Sequence, residues 1–124
     1  MEERMAKHDP DHAVVAQYLH EISDIEPLTA DEETRLFQKL RNKDARDKTS
    51  VERILLESQL ALVVKIAQKH SGLGVSVVDL ILEGNLGLAQ ALRRFVETPV
   101  GDFVTYAANC IEDAIRKALG NSKS

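Results

Sequence analysis

A single cysteine, Cys110, rules out a disulfide framework in this 124-residue chain and points to the cytosol. An apolar signal segment is lacking too. The longest unbroken apolar runs, such as Leu60–Val64, fall far short of the roughly 20 residues that a bilayer span needs, so no membrane partner is expected. Basic charge is not in excess: 16 Lys and Arg stand against 20 Asp and Glu, leaving a net charge of -4. Duplex affinity comes largely from Lys and Arg displacing counterions, so the balance argues against a simple DNA-coating role, though not against a local basic face, and free duplex should bind weakly. Three prolines and six glycines leave few breaks, and tryptophan is absent.

What is present is apolar periodicity. A chain of this length fits one domain that hides about two-thirds of its unfolded surface. Apolar residues recur at helical spacing, with no sustained alternation, which predicts an all-α domain of about five helices over residues 11–120. Residues 1–10 read as a flexible arm and 121–124 as a tail. A first helix from Asp11 to Ile22 sets Val14, Val15, Tyr18, Leu19 and Ile22 on one face. Thr29-Ala-Asp-Glu32 is a capping box opening a second helix, with Leu36, Phe37 and Leu40 inward. The mixed-charge stretch from Lys39 to Lys48 reads as a solvated turn. Thr49-Ser-Val-Glu52 repeats the capping pattern and opens a long central helix to His70, with Val51, Ile54, Leu55, Leu62, Val63 and Ile66 inward. Gly72 and Gly74 fit a left-handed stop. Ser76 caps a fourth helix to about Phe95, and Asp102 caps a fifth that ends near Gly120.

Catalytic and metal chemistry find no footing. His8 and His12 sit four apart with Pro10 between them, which spoils a helical ligand pair. Cys110 lies on the apolar stripe of the last helix with Tyr106, Ala107, Ile111, Ala114, Ile115 and Ala118, the setting of a packed thiol rather than a nucleophile. Gly84 and Gly87 fall inside a helix with no Gly-Lys-Ser/Thr after them, so no phosphate loop forms. The expectation is a non-enzyme with no metal and no cofactor.

The fourth helix carries more information. Val77, Leu80, Ile81, Gly84, Leu88, Ala91, Leu92 and Phe95 fill one side of its wheel. The other side carries Asp79, Leu82, Glu83, Leu86, Ala89, Gln90 and Arg93. Two leucines one turn apart among charges are either covered by loops or N-terminal helices, or form the apolar centre of a partner-docking face. The second reading is favoured.

Asp79-Leu-Ile-Leu-Glu-Gly-Asn-Leu-Gly-Leu88, followed by Phe95, resembles the polymerase-binding segment of the sigma-70 family of bacterial RNA polymerase initiation factors. Tyr18-Leu-His-Glu-Ile22 and Pro27-Leu-Thr-Ala-Asp-Glu-Glu33 resemble the family's preceding helices. Glu57-Ser-Gln-Leu-Ala-Leu-Val-Val64 and Phe103-Val-Thr-Tyr-Ala107 resemble the segments flanking its docking helix. The resemblance runs in order from Ala13 to Leu119. It implies the family's second domain, a compact helical unit that docks on a coiled coil of the core polymerase clamp. Asp79, Glu83 and Asn85 then match docking positions. Leu82 stands where the family usually has Gln, and Ala89 where it has a longer apolar residue.

The segment after the docking helix departs further. In the family it carries basic and aromatic residues that melt the minus-ten promoter element and hold flipped bases. Here the matching positions are Gly101, Asp102, Asn109, Cys110, Glu112 and Asp113, and the paired tryptophans are gone. From Glu97 to Asp113 there are four acids and no Lys or Arg. Phe103, Thr105, Tyr106 and Asn109 remain as candidate DNA contacts, with Tyr106 already on the core stripe. Promoter DNA would meet repulsion and few stacking platforms, so the resemblance implies a degenerate reader. The 124 residues end just after this helix and hold no counterpart of the family's later domains. Three functions follow as expectations: a sigma-like factor that docks on polymerase and reads DNA weakly; a sigma mimic that binds an anti-sigma or other regulatory protein; or an ordinary promoter-recognising sigma factor.

Overall fold

The computed structural model describes residues 10–42 and 46–122. These form six helices and no strand: α1 (Pro10–Ile22), α2 (Ala30–Arg41), α3 (Lys48–Glu57), α4 (Leu60–Lys69), α5 (Val77–Glu97) and α6 (Phe103–Ser122). The all-α expectation holds. The sixth helix arises because the long third one is divided at Ser58-Gln59. There the Ser58 hydroxyl donates to the Leu55 carbonyl at 2.7 Å, and the Gln59 amide reaches back only three residues, to the Leu56 carbonyl at 3.0 Å. A serine bonding its own preceding turn competes with the helical ladder, and no proline is needed to break it.

The caps were partly legible. The Thr29 capping box forms in both directions, Thr29 Oγ1 accepting from the Glu32 amide at 3.1 Å and Glu32 Oε1 from the Thr29 amide at 2.9 Å. Asp102 Oδ2 likewise accepts from the Thr105 amide at 3.0 Å. The expected Thr49 cap does not form: α3 begins at Lys48, so Thr49 lies inside its first turn, and Asp47 precedes it without a side-chain capping bond, its carboxylate pairing instead with Lys39 at 3.7 Å. Gly72 and Gly74 take positive φ values of 79° and 99° after α4. Gly120 does not, so α6 runs through it to Ser122 and two residues assigned to the tail are helical. Likewise Pro10, assigned to the arm, starts α1. Residues 1–9 of that arm, with His8, lie outside the described residues, as do Lys43 and Asp44.

α5, rather than the α3–α4 segment, is the central helix: it touches all five others. Its inner side is buried from Val77 to Phe95. Two glycines bring neighbours within reach. A Cβ on Gly84 would stand 2.8 Å from Val63 Cγ1, and one on Gly87 would stand 2.8 Å from Ala114 Cβ and 2.9 Å from the Cys110 carbonyl oxygen. Three phenylalanines from α2, α5 and α6 close one end of the core, Phe37, Phe95 and Phe103 meeting pairwise with ring centroids 5.0–5.2 Å apart. Ile54, expected inward, is exposed. Val51 and Leu55 already fill the inner face of α3, and Ile54 lies about 100° round the wheel from Leu55.

Candidate functional site

α5 is held by its first turn. Ser76 Oγ accepts from the Val78 amide at 3.1 Å and donates to Asp11 of α1, fixing the start of α5 against the start of α1. From that anchor the helix presents its second side outward. Leu82 is 57% exposed and Leu86 61%. Asp79, Glu83, Gln90 and Arg93 are exposed on the same side, and Asn85 and Ala89 are half-buried. Among the described residues neither a loop nor α1 or α2 covers the two leucines. The polar residues flank an apolar centre, as in the core and rim of a protein interface.

Two grooves border this face. Between α5 and α6 runs an open groove of about 630 Å3, lined by Glu83, Leu86, Gln90 and Arg94 on one side and by Asp113 and Lys117 among others on the opposite side. Between α1 and α5 lies a smaller, apolar groove that takes in Val14 and Leu82. Val14 was expected on the inner face of α1, but it is 55% exposed whereas Val15 is 2%. Adjacent residues on a helix point about 100° apart, so one of two neighbouring valines must leave the core. That pair was the available sequence signal that α1 leaves an apolar residue on its surface.

α6 is arranged differently. Phe103 is 2% exposed and belongs to the phenylalanine cluster. Its place among the DNA-contact candidates is therefore corrected, because a ring inside the core offers no face to a base. Tyr106 is half-buried, its ring centroid 5.8 Å from that of Phe95. Thr105 and Asn109 are exposed, with the Thr105 hydroxyl donating to Asp102 Oδ2 at 3.1 Å. Glu112 bonds His70 at the end of α4 and accepts from Arg116 Nε at 3.2 Å. Burial alone would raise the Glu112 carboxyl. The His70 hydrogen bond, with the charges of His70, Arg116 and Lys69, outweighs it and holds the group below the ordinary carboxylate range. Sequence reading counted Glu112 only as a misplaced acid and missed this tie between α4 and α6, whose partners lie 42 residues apart. Among the described residues no three His, Cys, Asp or Glu side chains gather as a metal site would require, and no helix is long and apolar enough to cross a membrane.

Comparison with known proteins decides the family. The model for sigma-70 region 2 matches residues 55–123, more than half of the chain. The chain belongs to the sigma-70 region 2 family. RNA polymerase sigma factor SigA of a Bacillus species is 39% identical over 107 residues, covering 86% of this chain and 27% of the relative. SigA of Clostridium acetobutylicum gives the same identity and coverage. The RNA polymerase sigma-E factor of Clostridium acetobutylicum is 44% identical over 98 residues, 78% of this chain and 40% of its own length. The chain thus spans about a quarter of the SigA relatives. The match takes in α4, α5 and α6, so both the leucine face and the last helix lie within the family's region.

Proposed function

We propose that this chain is the polymerase-docking part of a sigma-type initiation factor, acting in the cytoplasm without catalysis, and that it binds the clamp coiled coil of core RNA polymerase through the outer side of α5. The observation that carries the reading is the pair Leu82 and Leu86, more than half exposed and one turn apart, flanked by Asp79 and Glu83. An exposed apolar pair on the most buried helix of a domain is costly to leave in water and gains from a partner. Asn85, Ala89, Gln90 and Arg93 complete the contact strip.

The same reading gives α6 a weakened part in minus-ten recognition. Support comes from the burial of Phe103, the packing of Tyr106 on Phe95, and the exposed Asp113. Promoter DNA is then engaged only weakly, or only within the polymerase complex.

The test is a fluorescence-anisotropy titration of the protein against core RNA polymerase, repeated with Glu83→Lys. Saturable binding that Glu83→Lys weakens by about 1 kcal/mol or more is the expected result. No binding at micromolar polymerase sinks the docking reading and leaves an anti-sigma or other regulatory protein as the partner to seek. Tight binding of a minus-ten fork oligonucleotide by the complex would overturn the weakened-reader part and return the chain to ordinary promoter recognition.

A further inference from the structure

The smaller groove has a volume of about 180 Å3 and an almost wholly apolar lining: Val14, Val15 and Tyr18 from α1 face Val78, Ile81 and Leu82 from α5. Apolar cavities of roughly 150 Å3 elsewhere take up a benzene ring, so the space suits one large apolar side chain. The groove is open, since Val14 and Leu82, one on each helix, are both more than half exposed. Asn85 also lines it, and Asn85 Oδ1 is a buried acceptor with no hydrogen-bond partner, the single such side-chain atom among the described residues. A buried acceptor left unmade is unfavourable, and an incoming N–H relieves it.

The rim adds a sign of charge. Asp79 and Glu83, each next in sequence to a groove residue, are exposed and make no ion pair among the described residues. No Lys or Arg occurs on α5 before Arg93. An apolar slot between two helices, bordered by acids and holding an unpaired acceptor, is complementary to a helical segment that carries an apolar anchor flanked by Lys or Arg.

We propose that α1 supplies half of the docking site: the groove between α1 and α5 receives an apolar side chain of a basic helical segment of core RNA polymerase, and an N–H donor of that segment bonds Asn85. This rests on the docking reading above and extends it from one helix to two. Val14 becomes an anchor wall rather than a stray surface valine, and the Asp11–Ser76 bond becomes the contact that holds the groove's two walls in register.

The experiment sets Val14→Lys beside Glu83→Lys in the same anisotropy titration against core RNA polymerase, with circular dichroism melting of each variant. Val14 is exposed, so its replacement should leave the melting curve in place while weakening binding about tenfold. Val14→Leu, which keeps the wall apolar, should bind within about twofold of the parent. Leu82→Lys, on the opposite wall, should lose as much as Val14→Lys. If Glu83→Lys weakens binding and Val14→Lys does not, α1 lies outside the site: the groove proposal is overturned and docking through α5 stands. If neither variant weakens binding, the docking reading itself fails and the groove falls with it. A dimer in sedimentation equilibrium that Val14→Lys dissociates would also overturn the proposal, by giving the groove to a second copy of the chain.

Discussion

α5 and α6 pack closely against each other, yet they divide their side chains in opposite ways. α5 buries one apolar side and leaves a second, centred on Leu82 and Leu86, in water. α6 turns Phe103 and, in part, Tyr106 inward and leaves Thr105, Asn109 and Asp113 outside. The first arrangement leaves apolar area for a partner to cover. The second has already used its aromatic groups to hold the domain together. The two neighbouring helices therefore differ in which way their large side chains face rather than in how helical each segment is.

The sharpest way to break this contrast is Phe103→Ala. If the ring is a core element, its loss should cost about 3–5 kcal/mol of stability, read by urea denaturation, because a phenylalanine cavity opens between Phe37 and Phe95. A small stability change with a large loss of oligonucleotide binding would put the ring back among the DNA contacts. Next comes the seam itself. Gly87→Ala gains about 1 kcal/mol in helix propensity but drives a methyl against the Cys110 carbonyl and Ala114, an overpacking cost of about 1–3 kcal/mol. Net destabilisation is expected; a more stable variant would mean that the two helices separate easily. Third, Leu86→Ala on the open side of α5 should leave stability within about 0.5 kcal/mol and weaken polymerase binding by more than about 1 kcal/mol. If stability falls instead, Leu86 is a core residue and the face is closed.

The sequence disclosed most of α5 and less of everything that depends on residues far apart. Local signals were sufficient for the Thr29 capping box, the Gly72 stop and the wheel of α5, since each is decided within a turn or two of chain. The division at Ser58-Gln59 escaped because a serine is compatible with a helix until its hydroxyl bonds the preceding turn. The pattern alone groups Val14 with Val15, because the periodicity of a short helix tolerates a stripe one residue too wide. The placement of Phe103 followed from a three-way meeting of α2, α5 and α6, which no window along the chain contains. The same holds for the pairing of Glu112 with His70.

That last pair gives the smallest effect, and one whose sign can be worked out. Burial opposes ionisation of Glu112, but the His70 bond and the nearby cations prevail, so its folded-state pKa lies below the ordinary value of 4.5. A carboxyl depressed on folding stabilises the fold above its unfolded value, and that contribution disappears as pH falls through the folded value. Glu33 acts in the opposite sense. Its burial, with the charge of Asp102, raises its pKa, so neutral pH disfavours the fold slightly there and acid relieves it. The two carboxyls partly cancel in the parent protein, and the comparison must be made against a variant. At neutral pH Glu112→Gln should be less stable than the parent by no more than about 1 kcal/mol, since Arg116 is well exposed and its share is screened by solvent. The gap should close as pH drops below 4.5, where the parent's carboxylate is progressively protonated. A gap that persists unchanged into acid would mean that Glu112 holds α6 to α4 by packing rather than by charge, and the acid at this position would then have to be explained by shape alone.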